Sequence, residues 1–430
     1  MRVAVSTLGC KVNQNDTQSI ISLFQQAGHE IVPFAEKADV YIINTCAVTR
    51  TSERKSAQAI RRAVAASPDA IVIGTGCYAQ VAPEELAAIA GVNLVVGMVD
   101  RPRLVELAEE FRHERKNRVA VGPVAESSFW VAPPAHIGLE RTRATLKIEE
   151  GCEQFCSYCI VPFARGPVRS MPPELVREEF LRLLELGYQE IVLTGIHLGC
   201  YGKDLGMNLA RLLHQLLEIK GHFRVRLGSL EPIDINPELS RVIIGNEKIC
   251  QYLHIPLQSG CDSILAAMNR DYTSAYYAEL LDRLRNKNPY IGIGTDLIVG
   301  FPGETGADFE ITRKFVAEQR FSRVHVFRYS PRRGTPAADL PDRVAPAVQE
   351  ERSSVIQTLS VSSGVEFARG FIGREVQVLF EESTDRGWSG WSGEYLRVTV
   401  ESDRQLKNCL VKVCATDLSG KDLAGCIPEQ

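Results

Sequence analysis

The strongest constraint on this chain is a rhythm of short apolar runs alternating with stretches of helical spacing. Val3–Ser6, Val40–Ile43, Ala70–Ile73 and Leu94–Val96 read as buried strands. Between them, Asn13–Ala27 places Ile20, Leu23, Phe24 and Ala27 at helical spacing and stops at Gly28, and Thr51–Ala66 reads as a polar helix. Strands alternating with helices predict a parallel sheet. In such a sheet the strand ends share one edge, and α/β folds bind their ligands at that edge. Cys10 follows the first of these strands, Cys46 the second and Cys77 the third. Three cysteines far apart in sequence are therefore expected to converge as a metal site. The plainer alternative is three buried, inert thiols.

Residues 117–140 carry Gly122, Pro123, Pro133 and Pro134 and read as a linker that closes a first domain at 1–116. A second series then begins. Its expected strands are Ala144–Ile148, Glu190–Leu193, Arg224–Leu227, Tyr252–Ile255, Gly292–Ile298 and Arg323–Phe327, most of them separated by helices such as Pro173–Leu186 and Asp308–Gln319. Six βα units suggest an open, partial barrel, with its chemistry at the carboxyl ends of the strands. Ala345–Arg369 reads as a closing helix, which bounds this domain at 141–369. Beyond it, Glu375–Phe380, Tyr395–Val400 and Leu410–Val413 are β-rich, with Gly387, Gly390 and Gly393 expected at turns. Residues 370–430 are expected to form a small OB-like β-barrel. The fold class is thus α/β: a parallel α/β sheet domain, a partial (β/α)6 barrel and a small β-barrel.

Composition narrows the function. Of the 430 residues, 45% are hydrophobic and 24% charged, so the chain can bury sizeable cores. A net charge of -4 argues against a protein held to nucleic acid by bulk charge, though not against a local basic surface. No run is long and apolar enough for a membrane span or a signal-peptide core, so the cytoplasm is the expected location and no membrane partner is expected. In that reducing compartment the twelve cysteines are poor disulfide candidates and point to metal binding or catalysis.

Three of them form the pattern C-x3-C-x2-C, at Cys152, Cys156 and Cys159, just after the first barrel strand. Thiolates suit iron–sulfur clusters or zinc. An ordinary cubane takes four cysteines, so a cluster held by three leaves one iron open. The rival is a structural zinc site completed by Cys200 or His197. Zinc sites more often pair two C-x2-C units or add histidines.

This triplet, with Tyr158 before its last cysteine, resembles the radical S-adenosylmethionine (SAM) enzymes. The resemblance implies that the open iron binds SAM, that a reduced cluster cleaves its sulfonium, and that the resulting 5′-deoxyadenosyl radical abstracts hydrogen from the substrate. It also implies the partial-barrel fold and a contact from Tyr158 to the adenine side of SAM. Over nearly the whole chain the sequence is similar to one branch, the methylthiotransferases. Leu8-Gly9-Cys10, Asn44-Thr45-Cys46 and Gly76-Cys77 occupy that branch's three dispersed cysteine positions. The segments 158–166, 254–260 and 296–304 also look like its signatures, and the tail matches its small TRAM domain. The resemblance implies a [4Fe-4S] cluster on Cys152, Cys156 and Cys159 as the catalytic centre, and a second on Cys10, Cys46 and Cys77. SAM would serve both as radical source and as methyl donor. An electron donor such as flavodoxin or ferredoxin and a sulfur donor are implied as partners.

Leu8-Gly9-Cys10-Lys11-Val12-Asn13-Gln14 and Ala164-Arg165-Gly166-Pro167 are similar to the group acting on N6-threonylcarbamoyladenosine (t6A) in tRNA. That implies methylthiolation at C2 of t6A at position 37, with tRNA carrying t6A as partner. Alternatives are isopentenyladenosine, a ribosomal-protein aspartate or, outside the enzymes, an RNA-binding protein with structural zinc. An aromatic C2–H is strong and without useful acidity, so a cofactor must carry the hard step.

Glu231 and Gln258 follow barrel strands, where polar groups could reach SAM; satisfied loop polar groups are the alternative. His254 reads as a satisfied core histidine. Arg50, Arg54, Lys55, Arg61 and Arg62 on one helix, and Arg328, Arg332 and Arg333, could meet RNA phosphates or be solvated faces. Trp388, Trp391 and Tyr395 are candidates for stacking on bases or for packing. The remaining cysteines read as structural.

Overall fold

Every apolar run of the first series is a strand in a computed structural model that describes residues 1–126, 142–385 and 387–428. These residues pack as two units, neither of them continuous. The first draws on 1–126, 149–171 and 330–338, and the second on 142–148, 172–329 and 339–428.

In the first unit, β1 (Arg2–Thr7), β2 (Glu30–Val32), β3 (Val40–Thr45), β4 (Ile71–Gly76), β5 (Leu94–Val96) and β6 (Arg118–Ala120) form one sheet. Its order is β2-β1-β3-β4-β5-β6 and every pairing is parallel. Side chains alternate across it: Val40 and Ile42 enter one apolar core with Ile20, Phe24 and Phe111, while Tyr41 and Ile43 enter the other with Ile60 and Leu86. A parallel sheet covered on both faces needs such continuous apolar runs in its central strands. The two edge strands need not have them, and the sequence reading missed both. One of these, β6, lies inside the segment read as a linker; Arg118 on it pairs with Glu110 at 2.5 Å. The part of that segment from residue 127 to 140 lies outside the described residues.

The second unit contains β7 (Arg143–Lys147), β8 (Glu190–Thr194), β9 (Arg224–Leu227), β10 (Tyr252–His254), β11 (Gly292–Val299) and β12 (Arg323–Arg328). They run parallel in two ladders, β9-β8-β7 and β10-β11-β12, linked by isolated parallel bridges at Val225–Ile249 and Ser229–His254. This is the open half-barrel expected from the βα rhythm, and the helix Pro346–Arg369 follows it.

The tail closes into a five-stranded barrel: β13 (Glu375–Thr384), β14 (Gly387–Ser392), β15 (Arg397–Glu401), β16 (Leu410–Ser419) and β17 (Asp422–Cys426), ordered β13-β14-β15-β17-β16. Three strands had been expected. Gly387 and Gly390, expected at turns, lie inside β14, where they pair with β13 on one side and β15 on the other. Glycine depresses the strand signal of a segment that the closed barrel nevertheless recruits.

The barrel is riveted to the amino-terminal ends of the half-barrel strands. Glu190, at the start of β8, is wholly buried between Arg224 and Arg226, each 2.6 Å away. Arg224 donates to the carbonyls of Gln377 (2.7 Å) and Trp391 (2.8 Å), and Arg226 to those of Ser392 (2.9 Å) and Gly393 (3.2 Å). The Tyr395 ring stacks between Tyr252 (4.9 Å) and Trp391 (4.8 Å), with Arg226 and Arg323 over it. Packing therefore accounts for Tyr395, which stacks on two rings of its own unit. No helix among the described residues is long and apolar enough to cross a membrane.

Candidate functional site

The first unit brings Cys10, Cys46 and Cys77 to the carboxyl edge of one sheet, because each directly follows a parallel strand or the short turn after it. Helix α1 (Lys11–Gln26) starts at Cys10, α2 (Arg50–Ala66) starts shortly after Cys46, and α3 (Cys77–Val81) starts at Cys77 itself. Asn13, buried on α1, ties the three approaches together. Its side-chain amide donates to the carbonyls of Leu8 (2.7 Å) and Thr45 (3.0 Å), and its Oδ1 lies 3.9 Å from Cys77 Sγ.

The loop is built closely enough to fit a thiolate-bound cluster. Gly9 has φ +103°, and a Cβ there would stand 2.9 Å from the Cys46 Cβ. Burial, reinforced by the neighbouring Cys77, pushes the Cys46 thiol up to about 11, and burial raises Cys77 as well. Such thiols stay protonated until a metal displaces the protons. The donor set is sulfur only, which suits iron–sulfur clusters.

Cys152, Cys156 and Cys159 lie in the same unit. Their loop is clipped at its base where Glu149–Glu150 pairs antiparallel with Arg169–Ser170. Gly151 has φ +97°, and a Cβ there would fall 1.8 Å from the Pro167 carbonyl oxygen, so no larger residue fits. The Cys152 amide donates to Gly166 (3.0 Å) and the Cys159 amide to Cys156 (2.9 Å). Cys156 is buried and the other two are half-buried. Three thiols on one clipped loop, with Glu153 the sole other metal-ligating side chain between Cys152 and Cys159, fit a three-cysteine cluster. The residues after the loop pack back on the sheet edge: Ile160 and Ala164 share an apolar core with Ala47, Cys77, Tyr78 and Ala79.

At Cys77 the dispersed cysteines meet a buried polar network that the sequence reading missed, and the same network reaches Glu150 at the base of the other loop. Arg165 is wholly buried and donates to Cys77 Sγ (3.4 Å), Glu150 (2.6 Å), Asp16 (2.8 Å) and Asn13 (2.5 Å). Arg101, also buried, holds the same Asp16 at 2.9 Å. The available signal was the polar trio Asn13, Asp16 and Thr17, set at helical spacing in line with the apolar Ile20.

Tyr158 is half-buried on the cysteine loop. In the second unit, Glu231 and Gln258 lie beyond the carboxyl ends of β9 and β10. Glu231 is paired with Arg270. Gln258 has φ +66° and is pinned by its backbone, donating to the Asp296 carbonyl (2.8 Å) and accepting from Ile298 (2.9 Å). His254 sits 3.0 Å from Asp296, as a satisfied histidine should. His197, weighed as a zinc ligand, is hydrogen-bonded to Asp234 at 2.7 Å.

The two basic groups behave differently. Arg328 pairs with Glu350; Arg333 pairs with Glu85 at 2.5 Å; Arg332 is buried against Glu53 (2.7 Å) and the Ala47 carbonyl (3.3 Å). That run is spent on internal pairs. Arg50, Arg54, Lys55, Arg61 and Arg62 on α2 are exposed, and none is ion-paired among the described residues. The one acid of this helix, Glu53, is the one Arg332 neutralises.

Comparison with known proteins agrees with this arrangement. Residues 2–97 match the family model described as "Uncharacterized protein family UPF0004", and residues 146–316 match the Radical SAM superfamily. The chain is 41% identical to the Bacillus subtilis protein named "Threonylcarbamoyladenosine tRNA methylthiotransferase MtaB", covering 96% of this chain and 93% of that one. The chain belongs to the radical SAM methylthiotransferase family. As a radical SAM methylthiotransferase it is an enzyme that uses SAM and a [4Fe-4S] cluster. The Thermotoga maritima protein of the same name is 37% identical, with 92% and 90% covered. The Moorella thermoacetica methylthiotransferase relative, named "tRNA-2-methylthio-N(6)-dimethylallyladenosine synthase", is 36% identical, with 96% and 95% covered. Among solved structures, the fold is similar to that of the radical SAM methyltransferase TsrM from Kitasatospora setae, with TM-score 0.58, 16% identity, and 78% and 77% of the chains covered.

Proposed function

We propose that this methylthiotransferase acts on tRNA, inserting sulfur at C2 of t6A at position 37 and transferring a methyl group to give 2-methylthio-t6A. The observation that carries the reading is the near full-length match to proteins named for threonylcarbamoyladenosine, at 37–41% identity. The opening Leu8–Gln14 supports it independently. In this reading 1–116 is the domain of the second cluster, 141–369 the radical SAM core and 370–430 a TRAM domain.

Cys152, Cys156 and Cys159 would hold the cluster that engages SAM, with Tyr158, Glu231 and Gln258 as side chains that would meet SAM. Cys10, Cys46 and Cys77 would hold the second [4Fe-4S] cluster. When bound, SAM and the clusters would together supply hydrogen-atom abstraction from C2, the sulfur that takes its place and, from SAM, the methyl group. The protein's own part is to hold the thiol sets on clipped loops and to position the nucleoside. An electron donor of the flavodoxin or ferredoxin kind, a sulfur donor and a cytoplasmic location complete the reading.

Mass spectrometry of nucleosides from bulk tRNA, with and without this gene in its own host, tests the substrate. Loss of methylthio-t6A with build-up of t6A is the expected result. Persistence of methylthio-t6A in a host without a second such enzyme would move the assignment to dimethylallyladenosine or the ribosomal protein.

The α2 cations are the proposed contact to the tRNA backbone. Arg50, Arg54 and Arg61 lie within about 40° of one helix face over about 16 Å. Replacing Arg54, Arg61 and Arg62 by alanine should weaken binding of an anticodon stem-loop. The slope of log K against log salt should shrink by about 1 for each phosphate the variant no longer neutralises. An unchanged slope would remove α2 from the interface.

A further inference from the structure

We infer that Arg165, whose guanidinium also reaches the base of the other cysteine loop, sets the reduction potential of the second cluster. This rests on the reading that Cys10, Cys46 and Cys77 hold that cluster. Arg165 stands just past the C-x3-C-x2-C loop, yet its Nε points to Cys77 Sγ, a ligand position of the other set, at 3.4 Å. Its remaining nitrogens reach Glu150, at the base of the first loop (2.6 Å), and Asp16 on the helix that starts at Cys10 (2.8 Å). One side chain therefore touches the framework of both sites.

The position has electrostatic consequences. Hydrogen bonds to ligating sulfur and nearby charge are two of the levers that set iron–sulfur potentials. Arg165 supplies both from a wholly buried position, where solvent and salt screen it little. A cation and an N–H donor stabilise the more negative, reduced cluster, so they raise its potential. Asp16 acts in the opposite sense. It is shared between Arg165 and Arg101 and offsets part of their charge. A role limited to tying loops together makes no prediction about the sign of either effect.

The experiment uses the full chain with Cys152, Cys156 and Cys159 all replaced by alanine, so that any cluster signal comes from the second site. Reductive titration followed by electron paramagnetic resonance is then run on this background and on three further variants. Arg165→Lys, which keeps the charge and loses the Nε donor, should lower the potential. Arg165→Met, which loses both, should lower it further. Asp16→Asn should raise it. Equal potentials in variants that load iron normally would overturn the inference and leave Arg165 as a loop tie. If Arg165→Met does not fold, Arg165→Lys and Asp16→Asn still give opposite signs or fail to. If the background protein binds no cluster at all, the reading of Cys10, Cys46 and Cys77 itself falls, and this inference with it.

Discussion

Cys156→Ala is expected to abolish reductive cleavage of SAM while leaving both packed units folded. The supports of the cysteine loop are backbone features, namely the antiparallel clip at Glu149–Glu150 and Arg169–Ser170 and the tight turn at Gly151. None of them uses the Cys156 side chain. Its thiol is small, and removing it from a buried site costs little packing. A cluster held by this triplet would have no such reserve, because three thiolates would already leave one iron without a protein ligand and two would leave a second. Iron should fall by about half if the second cluster stays loaded. The complementary Cys46→Ala should keep SAM cleavage and lose methylthiolation. Iron analysis, circular dichroism and a SAM-cleavage assay under reductant read all of this. Unchanged cleavage in Cys156→Ala would contradict the assignment of the catalytic centre.

The placement of Cys10, Cys46 and Cys77 at one sheet edge was legible because topology fixes it. A parallel sheet sends every strand end to one edge, so the order strand–cysteine, repeated at Cys10, Cys46 and Cys77, implies convergence without any knowledge of side-chain positions. The half-barrel was legible for a related reason: β8 and β11 read as largely apolar, mostly buried runs, and the βα rhythm supplied the more polar β7, β9 and the half-exposed β12. The edge strands β2 and β6 and the glycine-bearing β14 were not, since neighbours rather than composition hold them in the sheet. The polar network around Arg165 left only a partial trace, the polar trio on α1, for a different reason. Asn13 and Asp16 share one helix, but Arg101, Glu150 and Arg165 are distant from them in sequence, and each alone reads as a surface residue. Only packing reveals that Asp16 and Arg165 are buried together. The same blindness made Arg332 look like an RNA contact, when its partner Glu53 comes from the far end of the chain.

Glu190→Gln is expected to cost about 3–5 kcal/mol, because it leaves two buried guanidinium groups without their counter-charge. Burial alone would raise the Glu190 carboxyl; Arg224 and Arg226 overcome that and hold it well below the usual carboxylate range. A carboxyl depressed in this way stabilises the fold fully above its unfolded value of 4.5, and the contribution is lost as the pH falls below that. The gap between wild type and Glu190→Gln should therefore be widest near neutrality and narrow in acid. The loss should fall first on the small barrel, since the two arginines spend their remaining donors on the carbonyls of Gln377, Trp391, Ser392 and Gly393. Denaturant titration followed by tryptophan fluorescence reads it directly, because Trp391 sits at this junction. Replacing Glu190, Arg224 and Arg226 together by apolar residues tests the cause. A buried triad that served only itself would be replaced at little cost. Here the four carbonyls would each lose an arginine donor, Ser392 keeping the Tyr395 amide at 3.2 Å, at about 1 kcal/mol for each carbonyl left unpaired, so the triple variant should remain less stable than wild type. Full recovery would show that the arginines do not anchor the barrel through those carbonyls.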